Sequence, residues 1–340
     1  MTCRRCRQWR SWAIRASTFP SGSAFFSPSP PALRLAHQAH AFEHGVVVRS
    51  GKGSELLEDP FVQKAIWEFD MGDPRRDVLP EYEVYAIRYA RMPRRRRDNF
   101  LGGDPHDADM PMDFFVWLVR GAGRVVLVDT GFNAETAHKR RRELIHCPIA
   151  ALAPLGVRPV DVQHVVLTHL HYDHAGNLDR LPRARFHVQD GEMDYATGRC
   201  MCFEPLRHAY AVEDVVSLVR HVYEDRVVFH DGDSALLPGI GLLKVGGHTK
   251  GLQAVRVHTA RGWVVLASDA SHYYENMDAG RPFPIVYNTA EMLSGYARLV
   301  GAAQSEEHVV PGHDPQVLER YPSWQGSPHV AALHLPPRAD

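Results

Sequence analysis

Cysteine is scarce in this 340-residue chain: five are present, an odd number, at Cys3, Cys6, Cys147, Cys200 and Cys202. So few argue against a disulfide framework and for a reducing compartment, and the chain is expected to be cytoplasmic. Cys3 and Cys6 have zinc-knuckle or redox spacing, yet they lack a second pair and sit among arginines; Cys200 and Cys202 read as packing residues. Long apolar runs are missing too, none approaching the roughly 18 residues of a membrane span. The formal net charge of −1 gives no long-range pull toward phosphate backbones or anionic bilayers. Neither membrane nor nucleic acid is expected as a partner. Acidic residues are absent from residues 1–42, where arginines and Ser-Pro stretches such as Ser27-Pro28-Ser29-Pro30-Pro31 break any periodicity. Residues 1–54 are therefore expected to be a disordered extension of transit-like or simply solvated composition.

With 44% hydrophobic and 23% charged residues, the remainder has enough apolar material for a large core. Residues 55–80 read as a lead-in, 81–322 as one folded domain and 323–340 as a C-terminal tail. The segment from Glu81 to Tyr89 alternates polar and apolar like a half-buried strand. Short apolar runs follow at 114–119, 125–128, 165–167, 242–245, 264–267 and 309–310, each ending in a polar cluster, as buried strands that deliver loops do. Helices are expected over 134–144 with Asn133 as N-cap, over 212–222, and over 289–303 with Thr289 as N-cap. The basic run Arg94-Arg95-Arg96-Arg97 stands beside Asp98 and a Gly-Gly-Asp-Pro turn and reads as a solvated loop.

Histidine is abundant, with 21 copies, so only spacing separates ligands from background. The run Val165-Val166-Leu167 leads into Thr168-His169-Leu170-His171-Tyr172-Asp173-His174, four potential metal ligands within six positions. His169 and His171 share a face if the strand continues, and Asp173 and His174 follow where a turn can aim them at a second point nearby. Three later strand ends repeat the arrangement: Gly246-Gly247-His248, Ser268-Asp269-Ala270 and Pro311-Gly312-His313. Any one of these alone is an ordinary loop residue. Together with the histidine-rich run they supply imidazoles and carboxylates in the mixture a two-metal hydrolytic site uses.

On these motifs the chain resembles the metallo-β-lactamase superfamily, and most closely its N-acyl-homoserine lactone lactonase branch, from about Tyr82 to Tyr321. The resemblance implies an α+β fold, a four-layer αββα sandwich. It implies two zinc ions per chain, one held by His169, His171 and His248, the other by Asp173, His174 and His313, with Asp269 bridging. Val128-Asp129-Thr130-Gly131 matches an early motif whose aspartate supports the metal-binding residues. The bridging Asp269 sets the chain apart from the β-lactamases proper, His171 from the flavodiiron reductases, and no inserted nucleic-acid-binding domain is evident. The implied reaction is lactone opening by hydroxide formed between the zincs, with Asp173 passing a proton to the leaving oxygen. Lactonases place a tyrosine three residues beyond the bridging aspartate. Here that position is His272, so His272, Tyr273 and Tyr274 all stand as donors to the substrate carbonyl. Leu252 replaces a histidine common after the glycine in relatives. Long-chain N-acyl-homoserine lactones are the expected substrates, with Phe100, Met110, Met112 and Phe283 as candidates to line an apolar channel and residues 193–210 as a cap. Hydrolysis of another lactone, ester or thioester, as in glyoxalase II, is the alternative, ahead of a non-catalytic zinc module.

Overall fold

The structure, a computed structural model, describes residues 12–19, 22–26, 38–43, 46–52 and 79–338. The chain divides into two compact units, Met1–Val78 and Leu79–Asp340. In the first, β1 (Trp12–Phe19), β2 (Gly22–Phe26), β3 (Gln38–Glu43) and β4 (Val46–Gly51) form an antiparallel sheet in the order β2-β1-β3-β4. The expectation of a structureless extension over 1–54 is thus corrected at these stretches. Trp12, Ile14 and the Val46-Val47-Val48 run have β-propensity. Cys3, Cys6 and the lead-in up to Val78 lie outside the described residues.

The second unit is built on two sheets. The larger contains β5 (Glu83–Met92), β6 (Met112–Gly121), β7 (Arg124–Val128), β8 (Glu143–Leu144), β9 (His164–Val166), β10 (Arg185–Gln189), β11 (Val227–His230) and β17 (Val330–Ala332), in the order β11-β10-β9-β7-β6-β5-β17 with β8 paired to β5. The smaller runs β12 (Ser234–Leu237), β13 (Ile240–Lys244), β14 (Gln253–Thr259), β15 (Gly262–Ser268) and β16 (Val309–Pro311) in sequence order. Side chains alternate across a strand, so β6 serves two cores at once: Phe115, Trp117 and Val119 meet Leu242, Val255, Val264 and Leu266 between the sheets, whereas Phe114, Val116 and Leu118 face outward. For the same reason β5 is buried on both faces rather than half-buried. Tyr85, Ile87 and Tyr89 join the outer cluster, Val84 and Ala86 the inner.

Helices close both outer faces. On the large sheet, Ala137 of α1 (Ala134–Arg140) and Val215 and Leu218 of α4 (Val212–Tyr223) enter the outer cluster. Two short helices, α2 (Asp190–Thr197) and α3 (Glu204–Arg207), lie between them in sequence. On the small sheet, Leu299 of α6 (Thr289–Ala302) packs with Leu252, Ala254, Val265, Ala267 and Val309. The layers are therefore helix, sheet, sheet, helix. Among the described residues no helix is long and apolar enough to cross a membrane.

Three expectations change at element ends. Helix α1 stops at Arg140 because Arg141 is left-handed, with φ of 54°, and Glu143–Leu144 pairs with β5 instead. The cap of α6 is Asn288, whose side chain accepts from the backbone N–H groups of Ala290 and Glu291, and Thr289 is already helical. Residues 323–340 are not a loose tail over their described part, since Val330–Ala332 adds an edge strand to β5 and the Nδ1 of His334 lies 3.1 Å from the backbone nitrogen of Val84.

Trp117 is fully buried between the sheets. Trp117→Ala is expected to cost roughly 3–5 kcal/mol, seen as a lower urea midpoint. An unchanged midpoint would show that the inter-sheet core does not carry the fold's stability.

Candidate metal centre

Five of the six polar clusters expected at strand ends arrive at one place; the exception is the end of β6, which turns directly into β7. Asp129 follows β7, the Thr168–His174 loop follows β9, His248 follows β13, Asp269 follows β15 and His313 follows β16. Two glycines are sterically required. A Cβ on Gly312 would lie 2.7 Å from the backbone of Ser268 and 2.8 Å from Asp269 Oδ1, and one on Gly247, whose φ is +84°, would lie 2.6 Å from the backbone of Met292. Ser268, just before Asp269, itself adopts a φ of 47°, a strained conformation for a residue with a side chain.

Around Asp269 the groups form two sets. Its Oδ2 is 3.3 Å from His248 Nε2 and 3.8 Å from His169 Nε2, and His248 Nε2 is in turn 2.9 Å from His171 Nδ1. Its Oδ1 is 3.0 Å from His313 Nε2 and 3.2 Å from His174 Nε2; both rings also face Asp173 Oδ2, at 3.7 and 3.6 Å. All seven side chains are buried. Sets of potential ligand atoms close enough to share an ion are His169 with His171 and His248, Asp173 with His174 and His313, His169 and His174 with Asp269, and a fourth, His248 and Asp269 with His272, that brings in an eighth side chain.

The far sides of three rings show why this is more than crowding. His248 Nδ1 donates to the Ile285 carbonyl at 2.6 Å and His313 Nδ1 to the Asp113 carbonyl at 2.8 Å. Thr168 Oγ1 donates to Asp129 Oδ2, which leaves it to accept from His169 Nδ1 at 3.2 Å. In neutral rings these bonds fix the tautomer, so His169 and His248 turn lone pairs toward each other 3.2 Å apart. Facing lone pairs repel unless a cation lies between them. Two buried atoms, His174 Nε2 and Asp269 Oδ1, lack any partner with hydrogen-bond geometry. The donor set of imidazole and carboxylate suits a divalent metal pair.

Electrostatics divides the cluster in the same way. Burial, reinforced by neighbouring histidines, holds His169 and His171 well below the usual histidine range. Burial opposes charge on His174 as well, yet Asp269, Asp173 and Asp129 together raise it well above that range, and Asp269 raises His313. Asp269 stays far on the ionised side, because His313, His174 and His272 outweigh the cost of its burial. The carboxylates demand positive charge at this point.

Asp129 holds the first loop from beneath, accepting from the Thr168 amide and hydroxyl and from His174 Nδ1, each at 2.8 Å. Sequence spacing did not reveal Glu192. Fully buried in α2, it accepts from Leu170 N and Tyr210 Oη at 2.9 Å with Oε1, and from Thr249 Oγ1 at 2.6 Å and Gly251 N at 3.2 Å with Oε2, so one carboxylate ties two ligand loops together. A Cβ on Gly251 would sit 2.0 Å from Glu192 N, which accounts for the glycine, while Leu252 packs in the apolar core. A lone acid at a helix start carries no spacing signal.

The three carbonyl-donor candidates separate. The His272 ring stacks on Phe283 at 3.5 Å, its Nε2 lies 3.0 Å from Asp269 Oδ2, and burial pushes its pKa down to about 3, so the ring is neutral. Tyr273 and Tyr274 are corrections. The Tyr273 hydroxyl points to the Pro111 carbonyl at 3.3 Å, and the Tyr274 ring packs between the sheets. Their neighbours in sequence turn inward, but α5 (Tyr274–Asp278) begins here and carries both tyrosine rings away. The apolar channel is corrected as well. Phe100 lies under the guanidiniums of Arg96 and Arg281, Phe283 lies behind His272, and of the four candidates only Met112 lines the pocket. Within 193–210, His208 and Ala209 reach the pocket and the Tyr210 ring packs edge-on to His171 at 4.6 Å.

Residues 115–319 match the metallo-beta-lactamase superfamily, and the chain belongs to it. It is 28% identical over 208 residues to a probable metallo-hydrolase of Mycobacterium tuberculosis, covering 54% of this chain and 64% of the relative. It is also 28% identical over 168 residues to the N-acyl homoserine lactonase of Bacillus cereus, covering 49% and 61%. The matched stretch thus spans less than two thirds of either relative. Among solved structures, a quorum-quenching N-acyl homoserine lactone lactonase superposes with a TM-score of 0.59 at 24% identity, covering 70% of this chain and 94% of its own. A dizinc quorum-quenching lactonase with bound product gives 0.55 at 16%, covering 76% and 95%. At these identities the structural likeness speaks for the fold.

Asp129→Asn keeps the shape of the loop support but removes its charge. Metal affinity, measured by competition with a chromogenic chelator, is expected to fall about 10–100-fold. Unchanged affinity would detach Asp129 from the candidate ligands.

Proposed function

We propose that this chain is a zinc-dependent hydrolase that opens the ring of a lactone, with N-acyl-homoserine lactones the first substrates to test. The observation that carries the proposal is the two-sided position of Asp269, each oxygen turned to a different pair of the candidate ligand imidazoles. The relatives named N-acyl homoserine lactonase support the choice of substrate class. Cysteine usage suits a reducing cytoplasm.

His169, His171 and His248 would hold one zinc, Asp173, His174 and His313 the second, and Asp269 would contact both. Bound zinc supplies Lewis acidity, which polarises a carbonyl and makes water acidic enough to ionise near neutral pH. The chain's own groups do the rest. Asp129 and the Ile285 and Asp113 carbonyls keep His174, His248 and His313 in the tautomer that turns a lone pair inward. Asp173 lines the pocket with one oxygen, Oδ2, toward His174 and His313, leaving the other to hold a proton for the departing ring oxygen. His272, neutral and clamped by Phe283, has its Nε2 3.0 Å from Asp269 Oδ2; of the three candidates it alone lines the pocket, and it would steady the substrate carbonyl by turning its one N–H from that carboxylate.

Acid release from a panel of lactones, esters, thioesters and phosphodiesters, with and without chelator, tests the reaction class. Chelator-sensitive lactone opening is expected. Thioester cleavage with no lactone opening at any chain length overturns the lactone assignment. Asp269→Asn should lose metal and turnover together. His272→Phe should lower kcat roughly a hundredfold at constant metal content, whereas Tyr273→Phe should not; the opposite ranking would return the role to the tyrosine.

A further inference from the structure

The pocket above the candidate metal centre includes Arg94, Arg140 and Arg142 in its wall. All three are half-buried. The adjoining Arg95, Arg96 and Arg97 are each paired with carboxylates from Asp104, Asp107, Asp109 or Glu275, as a solvated loop requires. Arg94 differs from its neighbours: it donates to the backbone carbonyl of Asp98. Arg140 donates to the Tyr210 carbonyl at 3.0 Å and lies 3.9 Å over the Tyr172 ring; Arg142 donates to the Tyr172 hydroxyl and the Arg140 carbonyl, both at 2.9 Å. Among the described residues, these three cations show only neutral hydrogen-bond partners. The left-handed turn at Arg141 separates Arg140 from Arg142, placing both in the pocket wall while Arg141 is exposed.

Three partly desolvated guanidiniums repel one another, and the repulsion grows when cations occupy the neighbouring ligand cluster. Such an arrangement is favourable when an anion enters the pocket. A guanidinium fork matches a carboxylate with two parallel hydrogen bonds, and pairing in a partly buried pocket is stronger than on open surface. The pocket mixes these guanidiniums with apolar side chains, Met92, Met112, Phe114 and Ile285, while Phe100 and Phe283 are turned elsewhere.

We propose that the substrate is anionic: a lactone or related ester that carries a carboxylate, which docks on Arg94, Arg140 and Arg142 while its carbonyl lies at the histidine and aspartate cluster. This rests on the hydrolase assignment above and specifies its substrate class. The arginines are specificity-determining groups, remote from the bond that breaks.

The test uses metal-loaded enzyme and a matched pair of N-acyl-homoserine lactones with six-carbon acyl chains, one ending in a methyl group and one in a carboxylate. The ring-opened carboxylated product, titrated by calorimetry, gives a readout that needs no turnover. The carboxylated lactone should be preferred at least tenfold in kcat/KM. That preference, and product affinity, should fall at least tenfold in Arg94→Gln and in Arg140→Gln, and should persist in Arg95→Gln, whose guanidinium is turned to Asp107 and Asp109. Equal kcat/KM for the pair, a preference for the methyl form, or product affinity indifferent to Arg94 and Arg140 would overturn the proposal. If neither lactone opens while the carboxylated product binds in an arginine-dependent way, lactone hydrolysis fails and the anion site stands.

Discussion

The carboxylate of Asp269 faces two directions at once, and the rest of the site is arranged to keep it there. One oxygen addresses His169 and His248, the other His174 and His313. A buried carboxylate among five buried imidazoles is costly unless positive charge is shared among them. Backbone geometry accepts local strain to achieve it: Ser268 is left-handed immediately before the aspartate, and Gly312 lets the His313 loop lie directly against it.

The two sheets explain how residues so distant in sequence reach one point. β7 and β9 of the large sheet and β13, β15 and β16 of the small one all deliver loops to the same edge of the sandwich. Side chains that never reach the pocket then fix those loops. Asp129 spans from β7 to Thr168 and His174, and Glu192 joins the loop of Leu170 to that of Thr249 and Gly251. Histidine orientation is thereby set by the scaffold rather than by a ligand, which makes the centre pre-organised.

Much of this was legible in the sequence because it is local. Apolar runs ending in His or Asp mark buried strands and their loops, and the density from His169 to His174 needs no tertiary information. The αββα layering followed from resemblance, and the alternation of Phe114 to Val119 between two cores bears it out. What stayed hidden is set by chain direction beyond a strand end. Whether His272, Tyr273 or Tyr274 turns inward depends on where α5 begins. Arg94 is indistinguishable in sequence from Arg95, Arg96 and Arg97, and only the position of their carboxylate partners separates them. The β-propensity of Val330-Ala331-Ala332 was too short a signal to mark an edge strand.

The central claim is that the seven side chains around Asp269 form one site for two metal ions. Elemental analysis of protein reconstituted with zinc, dialysed against metal-free buffer and assayed for turnover tests it most directly. The account predicts two zinc equivalents per chain, with activity following occupancy of both. A reproducible single equivalent with full activity would contradict it, and activity with iron alone would point to different chemistry.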